Sequence, residues 1–444
     1  MLTYQDYLKV GESEDERMDF IHTAIQQHKT TDLYNTAIIA EQYMKKQNVT
    51  IMNYQRLLTT LTGNKVIDRW SPNHKVTSGF FKRFVTQQNQ FLLGNGVTWE
   101  GDGLGDKFDS ALRTAGKNAL VGAVSFGFWN LDHMDVFKVT EFVPFWDEEN
   151  GALRAGIRWW QIDENKPLRA TFYEVDGYTE YMWEEGEKYV LNEKRPYIIN
   201  YTTSEVDGTE IIDGQNYPSF PIVPLWGNSE HQSELFGIRE GIDEYDFIKN
   251  GFANDLDSAQ IYWIIKGAGG MTDPDLVQFL DRLNLVHAAA PADEQDVEVK
   301  TVEIPYAARD TLLNRIEKDL YRDYMALNTE ELSSRNATAT EIKAAYEPMN
   351  AKADDYEYQI LDFIEAIMAL AGVEDKPTFT RSYLINTQEE ITTVMSAATY
   401  LQDDYVTEKI LTLLGDGDRA EEMIKEIEAD GMQLDRSTEE EING

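Results

Sequence analysis

Cysteine is absent from all 444 residues, which removes disulfide scaffolds, thiolate metal sites and thiol nucleophiles together and fits a chain matured in a reducing compartment. Positive charge is scarce: 40 Lys and Arg stand against 79 Asp and Glu, a formal net charge of −39. A surface of that sign repels phosphate and does not grip nucleic acid by counterion release. No apolar run approaches the ~18 residues of a membrane-crossing helix, and Met1 to Val10 has neither a basic flank nor an apolar core. The expectation is a chain that neither spans a membrane nor carries a secretory signal. Gly 29 and Pro 12 are too few for a collagen-like or low-complexity chain. What is present, 42% hydrophobic and 11% aromatic residues, is enough for ordinary cores, and the length suggests about two to four domains.

Catalytic signatures are missing too. The histidines (His22, His28, His74, His133, His231, His287) never stand at the i, i+4 spacing that lets one helix face hold a metal ion. Ser125, within Gly122 to Gly127, has glycines at −3 and +2, whereas a nucleophile elbow has them at −2 and +2, so it reads as a packed small-residue position. Gly101-Asp102-Gly103-Leu104-Gly105 has backbone amides to offer a phosphate, but no Lys-Ser/Thr pair follows, and it reads as a turn before a helix. Asp207-Gly208 and Asp213-Gly214 lack the alternating ligands of a calcium loop and read as hairpin turns. Lys65, Arg69, Lys75, Lys82 and Arg83 form a basic cluster that reads either as an anion patch or as a solvated face balancing nearby acids. No metal, cofactor or catalytic residue is assigned.

Three regions of different grammar follow one another. Up to about Val97 the pattern is helical, with Leu33, Ala37, Ala40 and Met44 at helical spacing after a candidate N-cap, Asp32. Ser71 to Lys75 interrupts it, and a helix resumes through Phe80, Phe84 and Phe91 to Gly94. From about Val121 to Pro224 β-branched and aromatic residues dominate. Ile157 to Gln161, Thr171 to Val175 and Tyr178 to Trp183 predict consecutive strands of a β-meander, with Asp176-Gly177 as a hairpin turn.

From about Ser233 the sequence turns helical again. Leu235, Ile238, Ile242, Tyr245, Ile248, Phe252 and Leu256 predict a helix of about 26 residues. A small α+β insert follows: strands at Ile261 to Lys266 and Val297 to Ile304, with a helix opened by Asp273-Pro274 between them. A second long helix spans about Ala307 to Asn328 and ends in a polar loop. The capping box Thr338-Ala339-Thr340-Glu341 then opens a third helix, striped from Ile342 to Leu370, in which Pro348 predicts a kink. Beyond it the chain is helical and acidic, with 11 Asp/Glu against 3 Lys/Arg from Gly415 to Gly444.

This order of pieces resembles the tailed-bacteriophage portal protein family. The matching segments are Asn73-His74-Lys75-Val76 leading to Phe80 through Val97, Val143-Pro144-Phe145-Trp146-Asp147 before Ala155 to Trp160, and Pro221 to Asn228 before the first long helix. Gly241-Ile242-Asp243-Glu244-Tyr245-Asp246 and Ala339-Thr340-Glu341-Ile342-Lys343 complete the set, spread over roughly Tyr43 to Glu428.

The resemblance implies an α+β, portal-type protomer: a helical and strand-rich wing over 1–233, stem helices over 234–260 and 306–328, and a small α+β clip over 261–305. A tunnel loop over 329–338, a kinked wing helix over 339–374 and a helical acidic crown over 375–444 complete it. It further implies a homo-oligomeric ring of about twelve subunits around a DNA channel at one capsid vertex. The ring would be assembled in the host bacterial cytoplasm and carried in the virion, serving genome packaging, head-tail joining and DNA ejection. Implied partners are the terminase large subunit, the major capsid and scaffolding proteins, a head-completion adaptor, and double-stranded DNA that passes without specific binding. No membrane is involved. Thr329, Glu330, Glu331, Ser333, Ser334, Arg335 and Asn336 would line the channel, and Asp273, Asp275, Gln278 and Asp281 would dock the motor.

Two other readings stay open on sequence. An acidic carbohydrate-active enzyme would use some of the Trp 9, Tyr 23 and abundant carboxylates in a cleft. Another ring-forming virion connector is the third.

Overall fold

The computed structural model describes residues 2–11, 13–59, 64–68, 71–163, 165–203, 210–257, 261–266, 272, 274, 278, 296–301, 305–334, 338–383, 387–414 and 424–425. In chain order it opens with helices α1 (Tyr4–Leu8), α2 (Glu14–His28), α3 (Asp32–Met44) and α4 (Val49–Asn53), a small hairpin of β1 (Leu57–Thr59) and β2 (Lys65–Ile67), and α5 (Phe80–Leu93). After β3 (Val97–Thr98) and α6 (Phe108–Gly122) come ten strands: β4 (Val124–Asn130), β5 (His133–Lys138), β6 (Phe142–Trp146), β7 (Leu153–Trp160), β8 (Leu168–Glu174), β9 (Gly177–Glu184), β10 (Glu187–Arg195), β11 (Ile198–Thr203), β12 (Glu210–Gln215) and β13 (Ile222–Trp226). Then follow α7 (Arg239–Asp257), β14 (Ile261–Lys266), β15 (Asp296–Thr301), α8 (Tyr306–Tyr324), α9 (Thr329–Ser334), α10 (Ala339–Ala371), β16 (Thr378–Phe379), α11 (Thr387–Ala397) and α12 (Asp403–Leu414). The protein is a mixed helix-and-sheet chain.

It divides into two compact units, one of 1–89, 99–326 and 355–377, the other of 90–98, 327–354 and 378–444. In the first, β10-β9-β8-β7-β6 form an antiparallel meander. Its alternating residues Ala155 and Ile157, Ala170 and Phe172 face Met18, Ile21 and Ile25 of α2, so period-two and period-3.6 patterns meet in one core. The second sheet is β13-β4-β5. Here Gly127 is required by a close approach: a Cβ on it would lie 2.5 Å from Cζ of Phe363 in α10. In the second unit, Phe91, Leu327, Tyr346, Met349 and Ala353 form a separate core with Leu332, Ile342 and Ala345 at its margin.

Several local expectations change. Thr31, not Asp32, caps α3, its hydroxyl accepting from Tyr34 N at 3.3 Å, because the residue with extended backbone is the one ahead of the first helical position. Glu174 pairs with Gly177, so the hairpin turn is Val175-Asp176, and Gly177, at φ 139°, starts the next strand. Asp213-Gly214 is no turn; it lies inside β12, paired with Asn200 and Ile199, while Asp207-Gly208 lies outside the described residues. The long helix α10, by contrast, has the extent its stripe predicts, 33 residues that include Pro348, which stands exposed between the buried Tyr346 and Met349.

Candidate functional site

The expected first long helix is shorter than its stripe. Leu235 and Ile238 are buried, yet they sit in a turn before α7, held where Ser233 Oγ donates to the Val121 carbonyl at 2.6 Å. At the far end of α8, Met325 adopts a left-handed conformation (φ 63°), and Ala326 N closes on the Tyr321 carbonyl at 2.9 Å, which stops that helix before 328. Each helix therefore has 19 residues, about 28 Å at 1.5 Å per residue.

What fixes α7 is a polar ladder that the apolar stripe did not reveal. Asp246, Asn250 and Asn254 stand at i, i+4 and i+8 on one face and bind an extended segment at every second residue. Asp246 Oδ1 accepts from Ser78 N at 2.8 Å, Asn250 Oδ1 from Val76 N at 2.6 Å, and Asn254 Oδ1 from His74 N at 2.7 Å. The registers match because four helical residues rise about 6 Å and two extended residues about 6.6 Å. Asn250 Nδ2 also donates to the Val76 carbonyl, and Asn48 Nδ2 to Asp246 Oδ2 at 2.9 Å. Asp246 is fully buried, and that burial raises its pKa. One turn earlier Asp243 accepts from Thr50 Oγ1 at 2.7 Å and from the Tyr43 hydroxyl, whose pKa burial and this bond push up to about 12. The spacing D-x3-N-x3-N was the sequence signal available.

The helix pair is tied at its far end by Arg309, which bridges to Asp255 and lies over the Phe252 ring. Ile316, Leu320, Tyr321 and Tyr324 of α8 are buried, with Phe84 stacked on Tyr324 at 4.8 Å. Phe247, Leu256 and Tyr306 are 52%, 58% and 65% exposed; Phe247 meets the Tyr54 ring edge-on at 5.4 Å and stands about half a turn round α7 from Leu256, so these are separate exposed apolar positions on the pair. β14 and β15 pair antiparallel from Ile261↔Thr301 to Lys266↔Asp296. Of the expected docking residues Gln278 is helical and exposed, whereas Asp273, Asp275 and Asp281 lie outside the described residues.

The polar segment after α8 is not a loop throughout. Thr329, Glu330, Glu331, Ser333 and Ser334 belong to α9; Arg335 and Asn336 lie outside the described residues. Asn328 caps this helix, its Oδ1 accepting from Glu331 N at 3.3 Å, while Glu330 and Glu331 occupy the first turn, where the helix dipole favours acids. Leu332 packs against the second core. The Thr338 box forms as read: Thr338 N donates to Glu341 Oε2 at 2.9 Å and Glu341 N to Thr338 Oγ1 at 3.3 Å.

The remaining motifs resolve structurally. Ser125 is buried in β4 and donates to the Phe137 carbonyl. The glycine-rich loop does cradle an anion, but the chain's own: Gly101 N and Gly103 N donate to Asp375, whose carboxyl is held below the usual range by these amides and, most strongly, that of Lys376. Gly103, at φ 60°, turns its amide inward. Of the basic cluster, Lys75 donates to the Met52 carbonyl, Arg83 to the Tyr321 hydroxyl, and Arg69 lies outside the described residues. Among the described residues no group of three or more potential ligands is placed to hold a metal, and no helix is long and apolar enough to cross a membrane.

Residues 22–436 match the family described as phage portal protein, SPP1 Gp6-like. The portal protein of Clostridium phage phiCD119 is 28% identical over 185 residues, 39% of this chain and 41% of that protein. The portal protein of Bacillus phage SPP1 is 23% identical over 328 residues, 67% of this chain and 62% of that protein. The matched stretches thus span less than two thirds of either relative's length. A chain from the neck of an empty GTA particle aligns over 76% of this chain and 90% of its own, at 11% identity and a TM-score of 0.40. With a match that runs along nearly the whole chain, this protein belongs to the phage portal protein family, SPP1 Gp6-like.

Proposed function

We propose that this chain is the subunit of a closed ring, of about twelve copies, that forms the DNA channel at one capsid vertex and joins head to tail. The single observation that carries the reading is the family match over residues 22–436. Exposed apolar side chains on the α7–α8 pair, Leu256 and Tyr306 among them, are what a wedge in a ring would cover with its neighbour, and a closed ring needs such heterologous contacts. A net charge of −39 per copy suits a conduit, since phosphates slide past walls that do not bind them.

On this reading α7 and α8 are stem helices, the β14–β15 insert is the clip, and Asp273, Asp275, Gln278 and Asp281 present it to the terminase large subunit and later to a head-completion adaptor. The 329–338 segment, α9 included, lines the constriction, where Arg335 is its one cation. Capsid and scaffolding proteins surround the wing, the ring is assembled in the bacterial cytoplasm and ends in the virion, and the chain itself performs no catalysis. Light scattering with negative-stain imaging of the purified chain tests the reading. The expected particle is a ring near twelve times 50.9 kDa. A monomer at micromolar concentration in moderate salt would overturn it.

A further inference from the structure

The chain carries about twice as many acidic as basic residues, 79 against 40, yet one cleft inverts that ratio. Lys45 at the end of α3, Lys82 of α5, Lys117 of α6 and Lys138 of β5 line it together, with Glu41 as the lone carboxylate. Lys138 is neutralised by Glu41 at 3.2 Å. Lys45, Lys82 and Lys117 are exposed and have no ion-pair partner among the described residues. Val121 and Val139 form an apolar floor beneath them, closed so tightly that a Cβ on Gly122 would lie 3.1 Å from the Val139 side chain.

We infer that this lysine-lined cleft is a docking surface for an acidic segment of a second copy of this chain. Three observations select that occupant. Lysines of α3, α5 and α6 share the cleft with only the Lys138–Glu41 pair compensated, so it presents net positive charge in an acidic chain and is the complement of an acidic segment. The apolar floor suits a protein segment, which brings methylene groups along with carboxylates, better than a phosphate. The chain also displays unspent acid: Glu184, Glu185 and Glu187 at the β9–β10 turn are exposed and have no ion-pair partner among the described residues. A cleft on one face and acids on another form a heterologous contact, the kind that propagates around a ring. The inference rests on the ring reading and deepens it by naming one contact that closes the ring.

The test compares the assembly of the wild type, Lys82→Glu/Lys117→Glu, Lys82→Gln/Lys117→Gln and Lys82→Arg/Lys117→Arg by light scattering across a concentration series, with circular dichroism as the folding control. The Glu pair is expected to raise the concentration for half-assembly by about tenfold or more, with a smaller rise for the Gln pair and none for the Arg pair. Should the Glu pair fail to fold, the Gln pair alone decides. Variants that all assemble like the wild type overturn the docking inference and leave the ring intact. Variant rings of wild-type mass that lose retention of a short DNA duplex overturn it as well, and assign the cleft to phosphate. A monomeric wild type instead defeats the ring reading on which the inference stands.

Discussion

Two buried groups make the residue scale quantitative. Asp246 anchors the ladder between α7 and the 74–78 segment, so Asp246→Ala leaves the half-buried Ser78 N and the buried Asn48 Nδ2 without this acceptor. The expected cost is about 2 kcal/mol, read as a lower midpoint in urea unfolding; an unchanged midpoint would show the ladder to be dispensable. Asp246→Asn is no rescue, because its amide would point a donor at the Asn48 amide, which cannot flip while its Oδ1 caps α4 at Ile51 N. His28 is the second. Its ring is buried, Nε2 donates to the Val139 carbonyl at 2.7 Å, Nδ1 has no partner among the described residues, and burial lowers its pKa. Below about 6.5 the unfolded chain takes up a proton that the folded chain resists, so this contribution is present at neutral pH and is lost as pH falls through that range. His28→Gln retains a donor to Val139 without the titration. Between about pH 7 and pH 5 its melting temperature is expected to fall less than that of the wild type, and parallel declines would refute the assignment.

At the scale of elements, α9 shows that a polar stretch between two helices can itself be helical. Thr329 to Ser334 has no amphipathic stripe beyond Leu332, so periodicity alone predicts a loop; the helix signal is the cap, Asn328, with two acids in the first turn. A single leucine then decides whether the turn persists. Leu332→Ala removes its contact with the Phe91–Tyr346 core, and amide exchange over 329–334 is expected to accelerate about tenfold. Exchange at the wild-type rate would mean that the cap alone holds the helix. The stripe of α10, by contrast, is realised almost position by position: Met349, Ala353, Tyr356, Ile360, Phe363, Ile367 and Leu370 are all buried. Three of the five meander strands were legible in the same way, while the turn between β8 and β9 fell one residue earlier than its Asp-Gly signal.

For the whole molecule, charge and uncovered surface lead to the same place. A chain of −39 repels its own copies at long range, so any ring it forms must be held by contacts that act at short range. Phe247, Leu256 and Tyr306 supply apolar area, and the cleft around Lys82 and Lys117 supplies local charge of the opposite sign. Loss of assembly on reversing those two lysines, with folding retained, is therefore the result that joins residue chemistry to the assembled particle.

The sequence by itself determined the alternation of helical and strand-rich regions, the stripe of α10, the Thr338 cap and the family, because each depends on residue type and short spacing along the chain. Only the tertiary structure decided what was made by residues far apart. It made Asp246, Asn250 and Asn254, which lie beside the apolar stripe, a ladder for residues about 170 to 180 positions away, gave the glycine-rich loop its anion in Asp375, and gathered four lysines from four elements into one cleft. Periodicity reports which face of an element is apolar; it carries no information about which distant backbone or charge that face will meet. That choice is made by packing, where a buried donor must find an acceptor.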